Sequence, residues 1–347
     1  MSDVIKADIY NVVSDNNIPW NGLRNSTVLV TGATGLIGGA LIGALSSANV
    51  TYALNLRIIV HGRNRKCIDF LVNEYGIEFI SGDIRKSTYL SDTADEIDYI
   101  FHCAAVTKSA EVVAKPVDVS MISVLGTRNM LELAKTKKVK GFMFLSSMEA
   151  YGQANLDEVK ETDLGYLDLT NPRSSYPESK RFCEMLCVSY ATQYHIPVKI
   201  ARLAQTFGAW SARNDSRVFA QFARSALAGQ DIELHTEGKS RGNYCYISDT
   251  VRGVLTVLLK GETGEIYNIA NPKASVTIRE MAMILANEIF DGKVKVVVKI
   301  PEDIEKRGYA PDANAVLNVD KLMALGWKPG FELADMYRRM IAYWQGR

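Results

Sequence analysis

The sequence predicts a doubly wound parallel β-sheet of the α/β class, joined to a smaller C-terminal lobe. Three observations support this prediction. Short apolar runs alternate with helical patterns between residues 27 and 201, which is typical of parallel strands joined by crossover helices. A glycine-rich turn follows the first apolar run, as it does in the Rossmann fold. The alternation loosens after Arg202, where the second lobe is expected to begin.

Six apolar runs are predicted to be buried strands, because strands covered on both faces are continuously apolar. They are residues 27–30, 57–60, 77–80, 99–102, 142–145 and 198–201. Helical patterns at 116–136 and 176–194 lie between the later strands. We therefore expect helices on the faces of the sheet.

The rest of the chain is predicted to pack against this first lobe. Helices are expected at 214–230, 250–259, 277–289 and 333–344, with short strands at 232–234 and 266–269. The predicted domains are residues 1–202, which include a leading helix within residues 1–25, and residues 203–347. Residues 246–270 are expected to return to the first domain. A cleft between the lobes would then hold the substrate.

Composition excludes several classes of protein. The 347 residues are 47% hydrophobic and 23% charged, as in ordinary packed proteins. A net charge of +1 gives no electrostatic reason to expect nucleic acid or an anionic membrane as partner. The uncharged stretch 25–56 is broken by glycines, so we interpret it as strand, turn and helix, not as a membrane span. Asp3, Lys6 and Asp8 interrupt the apolar run that a cleavable signal would need.

The five cysteines show no metal-ligand spacing, and no metal site is predicted. Cys183 and Cys187 are four residues apart in a predicted helix, which suits core packing better than a disulfide. Unpaired cysteines favour a reducing compartment. The predicted location is the cytoplasm.

Gly32, Gly35 and Gly38 follow the first strand and begin an apolar helix. This spacing allows a tight turn, leaves room for a pyrophosphate and permits close contact between helix and sheet. The N-terminus of the helix directs free N–H groups and partial positive charge at a phosphate. The sequence therefore predicts a dinucleotide-binding site.

The end of the second strand bears on the choice between NAD and NADP. Many NAD enzymes place a carboxylate here to bind the adenosine ribose, but the segment from His61 to Lys66 has none. Arg63 and Arg65 could bind a 2′-phosphate, which favours NADP, or could be solvated charges at a helix start. Asp83, after the third strand, is placed to meet the adenine or to cap a helix. These residues alone leave the cofactor open.

Tyr176 and Lys180 are four residues apart in a predicted helix, so they face the same way. An ammonium group near a phenol can lower its pKa from about 10 towards neutrality. Tyr176 would then be a usable acid or base. Together with the glycine turn, this pair predicts a hydride-transfer enzyme.

Four motifs follow one another in the order typical of the extended short-chain dehydrogenase/reductase family, which the chain resembles. They are TGATGLIG at 31–38, HCAA at 102–105, SSMEAYG at 146–152 and YPESK at 176–180. The resemblance covers roughly residues 26–345 and implies a catalytic triad of Ser147, Tyr176 and Lys180. Tyr176 would move the proton of a sugar 4-hydroxyl while the hydride passes to a nicotinamide. Ser147 would hydrogen-bond the same oxygen, and Lys180 would hold the nicotinamide ribose.

The resemblance also implies a cofactor, taken to be NAD with NADP as the alternative, a nucleotide-sugar substrate and a homodimer formed through helices 116–136 and 176–194. The cofactor residues would be Gly32, Thr34, Gly35, Leu36, Ile37, Arg63, Asn64, Asp83, Ile84, Ala104, Ala105, Tyr176 and Lys180. The substrate residues would be Lys108, Gln205, Arg217, Arg241 and Asn268. Guanidinium groups suit phosphate oxygens, whereas Lys108 could equally be a solvated lysine.

Within the family, the chain is most similar to the UDP-glucuronate decarboxylases. The similar segments are residues 171–181, 201–208 and 214–218, together with the pair Ser147 and Glu149. In such a reaction, oxidation of carbon 4 gives a β-keto acid that loses carbon dioxide. Ser147 and protonated Tyr176 would stabilise the enolate oxygen, and Glu149 is the candidate that handles a proton.

Three residues depart from the family pattern. Met148 stands where the 4,6-dehydratases place an aspartate that protonates the departing hydroxyl, and a thioether cannot donate a proton. Dehydration is therefore disfavoured. Gln205 and Ser123 replace asparagines that are usual there, so the sugar and the nucleotide stay open. A 4-epimerase, an NADPH-dependent reductase and a dinucleotide-sensing scaffold are the alternatives, although a scaffold has no need of the full triad.

Overall fold

The main sheet has seven strands. They are β1 (Thr27–Thr31), β2 (Arg57–Gly62), β3 (Glu78–Ser81), β4 (Tyr99–His102), β5 (Gly141–Ser147), β7 (Val198–Leu203) and β11 (Ile266–Ile269). This computed structural model describes residues 1–65, 69–86, 96–154, 156–301 and 316–346. Among these residues the strand order of the main sheet is β11-β7-β5-β4-β1-β2-β3. All neighbouring pairs are parallel. All six strands predicted for the first lobe are present, which confirms the predicted doubly wound sheet.

The strand order reverses between β1 and β4. From β1 the sheet continues to β2 and β3, and from β4 it continues to β5, β7 and β11. At such a reversal the loops that leave the two central strands diverge, and a crevice opens at their carboxyl ends. Those ends are Thr31 and His102, which lie side by side in the sheet. This edge of the sheet positions the candidate site.

Helices cover both faces of the sheet. On one face α5 (Pro116–Lys137) packs against α6 (Ser175–Tyr194), and on the other α2 (Leu36–Thr51) packs against α8 (Ile247–Lys260). Val28 and Val30 of β1 belong to the core that includes α2 and α8, whereas Leu29 belongs to the core that includes α5 and α6. Because both faces are covered, the strand is apolar at its three central positions. The short helices α3 (Asp69–Tyr75) and α4 (Ser109–Ala114) complete this lobe.

The predicted leading helix is present as α1 (Asp3–Val13), followed by a 3₁₀ helix at Trp20–Leu23. Its apolar side packs on α2 and α8. The buried Asp8 accepts a 2.7 Å hydrogen bond from the Tyr246 hydroxyl. It also accepts one of 3.0 Å from Arg339, which lies in the last helix, α11 (Leu333–Trp344). A buried carboxylate needs such partners, so α1 is joined to distant parts of the chain.

The second lobe is built on small sheets. One contains β8 (Gln205–Phe207), β10 (Arg241–Tyr246) and β12 (Asn271–Thr277); the others pair β9 (Ile232–Leu234) with β13 (Val296–Val298) and β6 (Glu158–Val159) with β14 (Val316–Leu317). Its further helices are α7 (Val218–Leu227), α9 (Ile278–Ile284) and α10 (Asp320–Met323). From this part of the chain, β11 pairs with β7 at the edge of the main sheet.

Two predicted helices differ from the observed ones in ways that have a clear structural reason. The helix predicted at 214–230 begins only at Val218, because Asp215 accepts the Arg217 N–H in a turn just before it. The helix predicted at 277–289 is α-helical to Ile284 and continues as the π-helix Leu285–Ile289. Apolar spacing does not distinguish such a widened turn from an α-helix.

Within the described residues, no helix combines the length and the apolar character that a membrane crossing needs. The uncharged stretch at 25–56 contains β1, the glycine turn and α2. Cys183 and Cys187 are fully buried free thiols in the core that includes α5 and α6, which confirms the predicted core packing. Cys67 lies outside the described residues.

Candidate active site

The glycine-rich turn joins β1 to α2 in very little space. Gly32 has a φ of +69°, and a Cβ there would lie 2.7 Å from the Ala104 nitrogen and from the Cys103 carbonyl. A Cβ at Gly38 would lie 2.4 Å from the carbonyl oxygen of Gly32. The turn therefore packs against the end of β4 and the first turn of α2 so closely that both positions require glycine.

Gly35 is less crowded than these two glycines. A Cβ there would meet only the carbonyl oxygen of Gly32, at 3.2 Å. Gly35 is the N-cap of α2, and within the described part of the chain no side chain caps the helix. Thr34 is exposed, and Leu36 and Ile37 are partly exposed. A helix start with free N–H groups and room in front of it fits the pyrophosphate of NAD.

Arg63 and Asn64 lie just beyond β2, beside the glycine turn. β1 and β2 are neighbours, with Thr31 paired to His61, and both Arg63 and Asn64 are exposed. Arg65, in contrast, forms an ion pair of 3.1 Å with Asp69. The structure thus places Arg63 and Asn64 at the edge where the adenosine of a dinucleotide would lie.

Asp83 follows β3 and is bound by Arg85, with 2.6 Å between their charged groups. These hydrogen bonds lower the pKa of Asp83 to about 2. Its carboxylate also accepts the Arg85 N–H, so it closes a turn and does not cap a helix. The neighbouring Ile84 packs its side chain against Gly126 of α5, which commits that side chain to the core.

Ala104 and Ala105 follow β4 and are partly exposed. The Ala104 N–H donates to Thr31 Oγ1 at 3.2 Å, and the same oxygen lies 2.9 Å from His102 Nδ1. His102 Nε2 lies 3.1 Å from Thr127 Oγ1. Burial lowers the pKa of His102 to about 3. A neutral His102 therefore holds the ends of β1 and β4 together beneath the candidate cofactor site.

The four candidate catalytic residues come from two adjacent parts of the chain. Ser147 ends β5, and Glu149 lies in the 3₁₀ helix Met148–Tyr151 that follows it. Tyr176 and Lys180 lie one turn apart near the start of α6. Ser147 Oγ accepts the Glu149 N–H at 3.2 Å, and its hydroxyl is near enough to Tyr176 to lower the pKa of the phenol. The structure thus brings the four residues together at the carboxyl end of β5.

The sequence predicted that Lys180 lowers the pKa of Tyr176. For the protein alone, this prediction is wrong. The ammonium group donates a 2.7 Å hydrogen bond to the Leu145 carbonyl and lies 5.9 Å from the centre of the Tyr176 ring. Burial, followed by the charge of Glu149, raises the pKa of Tyr176 above its ordinary value, and the nearby Ser147 hydroxyl offsets only part of this rise. Burial also lowers the pKa of Lys180.

The carboxyl group of Glu149 is both exposed to solvent and desolvated by nearby protein. Its side chain is 44% exposed, yet the surrounding protein desolvates the carboxyl group and raises its pKa. Arg173 lies 3.8 Å away and opposes this rise. A carboxyl group with a raised pKa beside a phenol can exchange protons with a bound molecule. The sequence prediction did not include Arg173, although its spacing of three residues from Tyr176 was an available signal.

Arg217 and Gln205 approach the triad from the second lobe. Arg217 is near enough for its charge to lower the pKa of Tyr176. Its guanidinium is held by Asp215 at 2.7 Å and donates to the Thr206 carbonyl at 3.2 Å. Gln205 begins β8, two residues after Leu203, which pairs with Ser147, and it is partly exposed. Both residues are therefore available to a molecule that enters the crevice.

Arg241 and Lys108 each form an ion pair at the surface. Arg241 donates to the Ser275 carbonyl at 2.6 Å and lies 3.4 Å from Glu280. Lys108 is 76% exposed and lies 3.7 Å from Glu111. Exposed ion pairs are weak, so either cation could exchange its carboxylate for a phosphate.

Asn268 does not line a cleft, and its predicted contact with substrate is wrong. The residue is fully buried. Its Oδ1 accepts a 2.6 Å hydrogen bond from the Tyr151 hydroxyl, and its Nδ2 donates to the Asn318 carbonyl at 2.9 Å. Buried amides need such partners. The polarity of Asn268 is explained by the elements that it connects.

The model of the NAD dependent epimerase/dehydratase family matches residues 28–270 of the chain. This match extends from β1 to the end of β11 and includes the glycine turn and the Ser147, Tyr176 and Lys180 cluster. The chain belongs to that family. Membership confirms the prediction of an enzyme that uses NAD.

The proteins that are similar to this chain include enzymes named for nucleotide sugars. UDP-glucuronic acid decarboxylase 1 of Xenopus tropicalis is 27% identical over 320 residues, which are 92% of this chain and 72% of the relative. UDP-glucuronic acid decarboxylase 6 of Arabidopsis thaliana is 29% identical over 312 residues, 90% of this chain and 86% of the relative. The solved structure of UDP-glucose 4-epimerase from Thermotoga maritima with UDP-glucose has a TM-score of 0.79 at 23% identity and covers 92% of this chain and 98% of its own. The curated relatives confirm the resemblance to decarboxylases, and the solved structure supports the fold.

Proposed function

We propose that the chain removes the carboxylate of UDP-glucuronate as carbon dioxide after transient oxidation at carbon 4 of the sugar. The observation that supports this most is the position of Glu149. A carboxyl group with a raised pKa follows Ser147 by two residues and is near enough to Tyr176 for its charge to raise the pKa of the phenol. Two curated decarboxylases align over nearly the whole chain, which supports the same reaction.

NAD, when bound, supplies an acceptor for the hydride of carbon 4 and returns it at the end of the cycle. The start of α2 and the turn at Gly32 would hold its pyrophosphate, because the N–H groups there have no side-chain cap within the described residues. Lys180 would hold the nicotinamide ribose. Arg63, Asn64 and Asp83 would lie at the adenosine end.

Tyr176 and Ser147 would act on the oxygen of carbon 4. As a phenolate, Tyr176 would take the hydroxyl proton while carbon 4 becomes a ketone, and Ser147 would donate a hydrogen bond to the same oxygen. The bond between carbon 5 and the carboxylate then breaks, and its electron pair forms the enolate. The raised pKa of Tyr176 favours the protonated phenol, which is the form that stabilises an enolate oxygen by a hydrogen bond. Glu149 would supply the proton that carbon 5 gains.

Dehydration has less support than decarboxylation. Met148 stands between Ser147 and Glu149, and its side chain packs against the hydrophobic core. It offers no proton to a departing hydroxyl. A 4-epimerase is the second candidate, because it would need the same Ser147, Tyr176 and Lys180 and because the chain has the fold of a solved 4-epimerase.

The second lobe, residues 203–347, is the proposed binding site for the nucleotide. Arg217 and Arg241 would contact its phosphates, with Gln205 and Lys108 near the sugar. This assignment follows from the positions of Arg217 and Gln205 beside the triad and from the weak ion pairs of Arg241 and Lys108. Partners other than the sugar nucleotide and a second copy of the chain are not proposed, and the cytoplasmic location stays a prediction.

A homodimer through α5 and α6 belongs to the same proposal. Exposed apolar side chains occur on both helices: Val117, Met121, Phe182, Met185 and Val188. The two helices pack against each other, and clustered exposed apolar side chains favour an interaction site on a folded protein. Light scattering at micromolar concentration is expected to give the mass of two chains, and a monomeric mass would contradict the proposal.

Incubation of the purified holoenzyme with UDP-glucuronate tests the reaction. We expect released carbon dioxide and a UDP-pentose identified by mass spectrometry, with no net consumption of NAD, and no product from Tyr176→Phe. A hexuronate inverted at carbon 4 would establish the epimerase instead. Consumption of NADPH in proportion to product would establish a reductase, and an unchanged substrate would overturn the proposal.

A further inference from the structure

A buried ion pair lies behind the catalytic cluster. Glu184 of α6 and Arg202 of β7 have side chains that are 5% and 2% exposed. Arg202 Nε donates to Glu184 Oε1 at 2.9 Å, and Nη2 donates to Oε2 at 2.7 Å. Two parallel bonds of this kind fix the carboxylate in one orientation. The pair therefore sets the position of α6 relative to the sheet.

Ser146 is the third member of this cluster. Its Oγ donates a 2.5 Å hydrogen bond to Glu184 Oε1. Ser146 and Arg202 are also direct neighbours on the paired strands β5 and β7. One carboxylate thus ties two strands to α6. Ser146 immediately precedes Ser147, and Glu184 lies one helical turn beyond Lys180.

Arg202 also contacts the segment that carries Glu149. Its guanidinium lies 4.5 Å from the centre of the Tyr151 ring, and Tyr151 ends the 3₁₀ helix that contains Glu149. Arg202 Nη1 donates to the Glu161 carbonyl at 2.8 Å. Both parts of the chain that hold candidate catalytic residues therefore rest on the same ion pair.

We propose that Ser146, Glu184 and Arg202 are positioning residues that set Ser147 and Glu149 relative to Tyr176. A buried ion pair adds little stability compared with apolar side chains of the same volume, so orientation explains its presence better than stability does. The kinetic part of the proposal rests on the proposed function, because its effect is measured in that reaction. The geometric part, that these three residues set the positions of Ser147 and Glu149, does not depend on the proposed function.

Ser146→Ala is the primary variant, since it leaves the ion pair in place and removes only its link to β5. We expect kcat to fall at least about tenfold, because small displacements of reacting groups have effects of this size. The KM for the sugar nucleotide and the amount of bound NAD are expected to stay unchanged. Ser146→Thr keeps the hydroxyl and is expected to restore most of kcat.

Asp8→Asn is the matched control. It weakens another buried ion pair, with Arg339, far along the chain from the cluster. It is expected to lower the melting temperature and to leave kcat unchanged at a temperature where all variants are folded. If Ser146→Ala kept the kcat of the parent, or if Asp8→Asn lowered kcat equally, the positioning role would be overturned.

A spectroscopic measurement separates this proposal from the proposed reaction. With ¹³Cζ-labelled tyrosine, the Tyr176 resonance is identified by its absence in Tyr176→Phe, and Ser147→Ala gives the shift that follows loss of the neighbouring hydroxyl. Ser146→Ala, and Glu184→Gln as a second variant, are expected to shift this resonance in the same direction, whereas Asp8→Asn is not. Such shifts without turnover of UDP-glucuronate would refute the reaction and support positioning. An unmoved resonance in both variants would refute positioning.

Discussion

The ammonium group of Lys180 donates a hydrogen bond of 2.7 Å to the carbonyl oxygen of Leu145, two residues before Ser147. This contact joins α6 to the end of β5 beside the catalytic cluster. Because Lys180 is buried, with 3% exposure, few other acceptors compete for its ammonium. The lysine therefore holds the backbone of the site as well as facing the proposed nicotinamide ribose.

Replacement of Lys180 by methionine is expected to lower kcat at least about 100-fold and to reduce the NAD retained on purification. Methionine keeps the length of the side chain but donates no hydrogen bond, so the Leu145 carbonyl loses its partner. Steady-state rates and the absorbance of NAD released by denaturation measure the two effects. Lys199→Met is the control, because this buried lysine bonds only the Pro197 carbonyl among the described contacts. Parental activity in Lys180→Met would contradict the assignment.

Gly35→Ala and Gly38→Ala are expected to differ. An added Cβ at Gly38 meets the carbonyl oxygen of Gly32 at 2.4 Å, so the backbone must shift, at a cost of about 1–3 kcal/mol in the free energy of unfolding. At Gly35 the Cβ meets only the same oxygen, at 3.2 Å, which a shift of a few tenths of an ångström relieves, and it would lie beside the proposed pyrophosphate. This variant should keep its stability and bind NAD more weakly. Thermal unfolding and calorimetric titration of NAD test both statements, and equal losses of stability would contradict the geometry.

Glu149→Gln is expected to lower kcat at least about 100-fold with little change in KM. An amide keeps the shape of the side chain but cannot deliver a proton to carbon 5. Glu178→Gln is a matched control, because Glu178 is an exposed carboxylate that lies 3.8 Å from Arg181. Its rates should stay near those of the parent. Similar rates for the two variants would remove Glu149 from the mechanism.

Asn268→Ala is expected to lower the free energy of unfolding by about 2–4 kcal/mol and to leave KM unchanged. The substitution removes the partner of the Tyr151 hydroxyl and of the Asn318 carbonyl, which would be left buried and unsatisfied. Urea unfolding and steady-state kinetics distinguish this role from substrate binding. A higher KM at unchanged stability would restore Asn268 to the substrate site.

His102 makes stability depend on pH. Its pKa of about 3 in the folded chain lies below the ordinary value of 6.5, so the unfolded chain binds a proton that the folded chain does not. This contribution is complete above pH 6.5 and is lost as the pH falls from 6.5 towards 3. Between pH 7.5 and 5 the loss amounts to about 2 kcal/mol. His61 acts in the same direction, with a pKa of about 4. It is kept in the His102→Gln variant, so its contribution cancels when that variant is compared with the parent.

His102→Gln removes that proton linkage while an amide can still bond Thr31 and Thr127. Urea unfolding at pH 7.5 and pH 5 is expected to show a smaller loss of stability in the variant, by about 2 kcal/mol. Thr136→Ser is the control, at an exposed position of α5. It should lose as much stability between pH 7.5 and pH 5 as the parent does. An equal loss in parent and His102→Gln would show that this histidine is not the responsible group.

The sheet and the glycine turn could be predicted because their signals are local. Strands covered on both faces are apolar at each position, and the positive φ of Gly32 is a requirement that only glycine meets readily. The helical spacing of Tyr176 and Lys180 also placed both on one side of α6, as the structure shows.

The contacts that decide roles within the site could not be predicted, since they join residues far apart in sequence. Helical spacing does not reveal that Lys180 selects the Leu145 carbonyl of another element as its acceptor. Asn268 looked like a polar residue near a cleft, but its partners Tyr151 and Asn318 come from different segments. The effect of burial on the pKa of Tyr176 depends on all surrounding elements at once.

The ion pair between Asp8 and Arg339 joins the first helix to the last one. During synthesis on the ribosome, α1 emerges long before the guanidinium that its carboxylate needs. The apolar side of α1 can already pack on α2 and α8 by then, but the buried carboxylate of Asp8 gains its charged partner only with the final helix. A chain truncated before Arg339 is therefore expected to hold α1 less firmly.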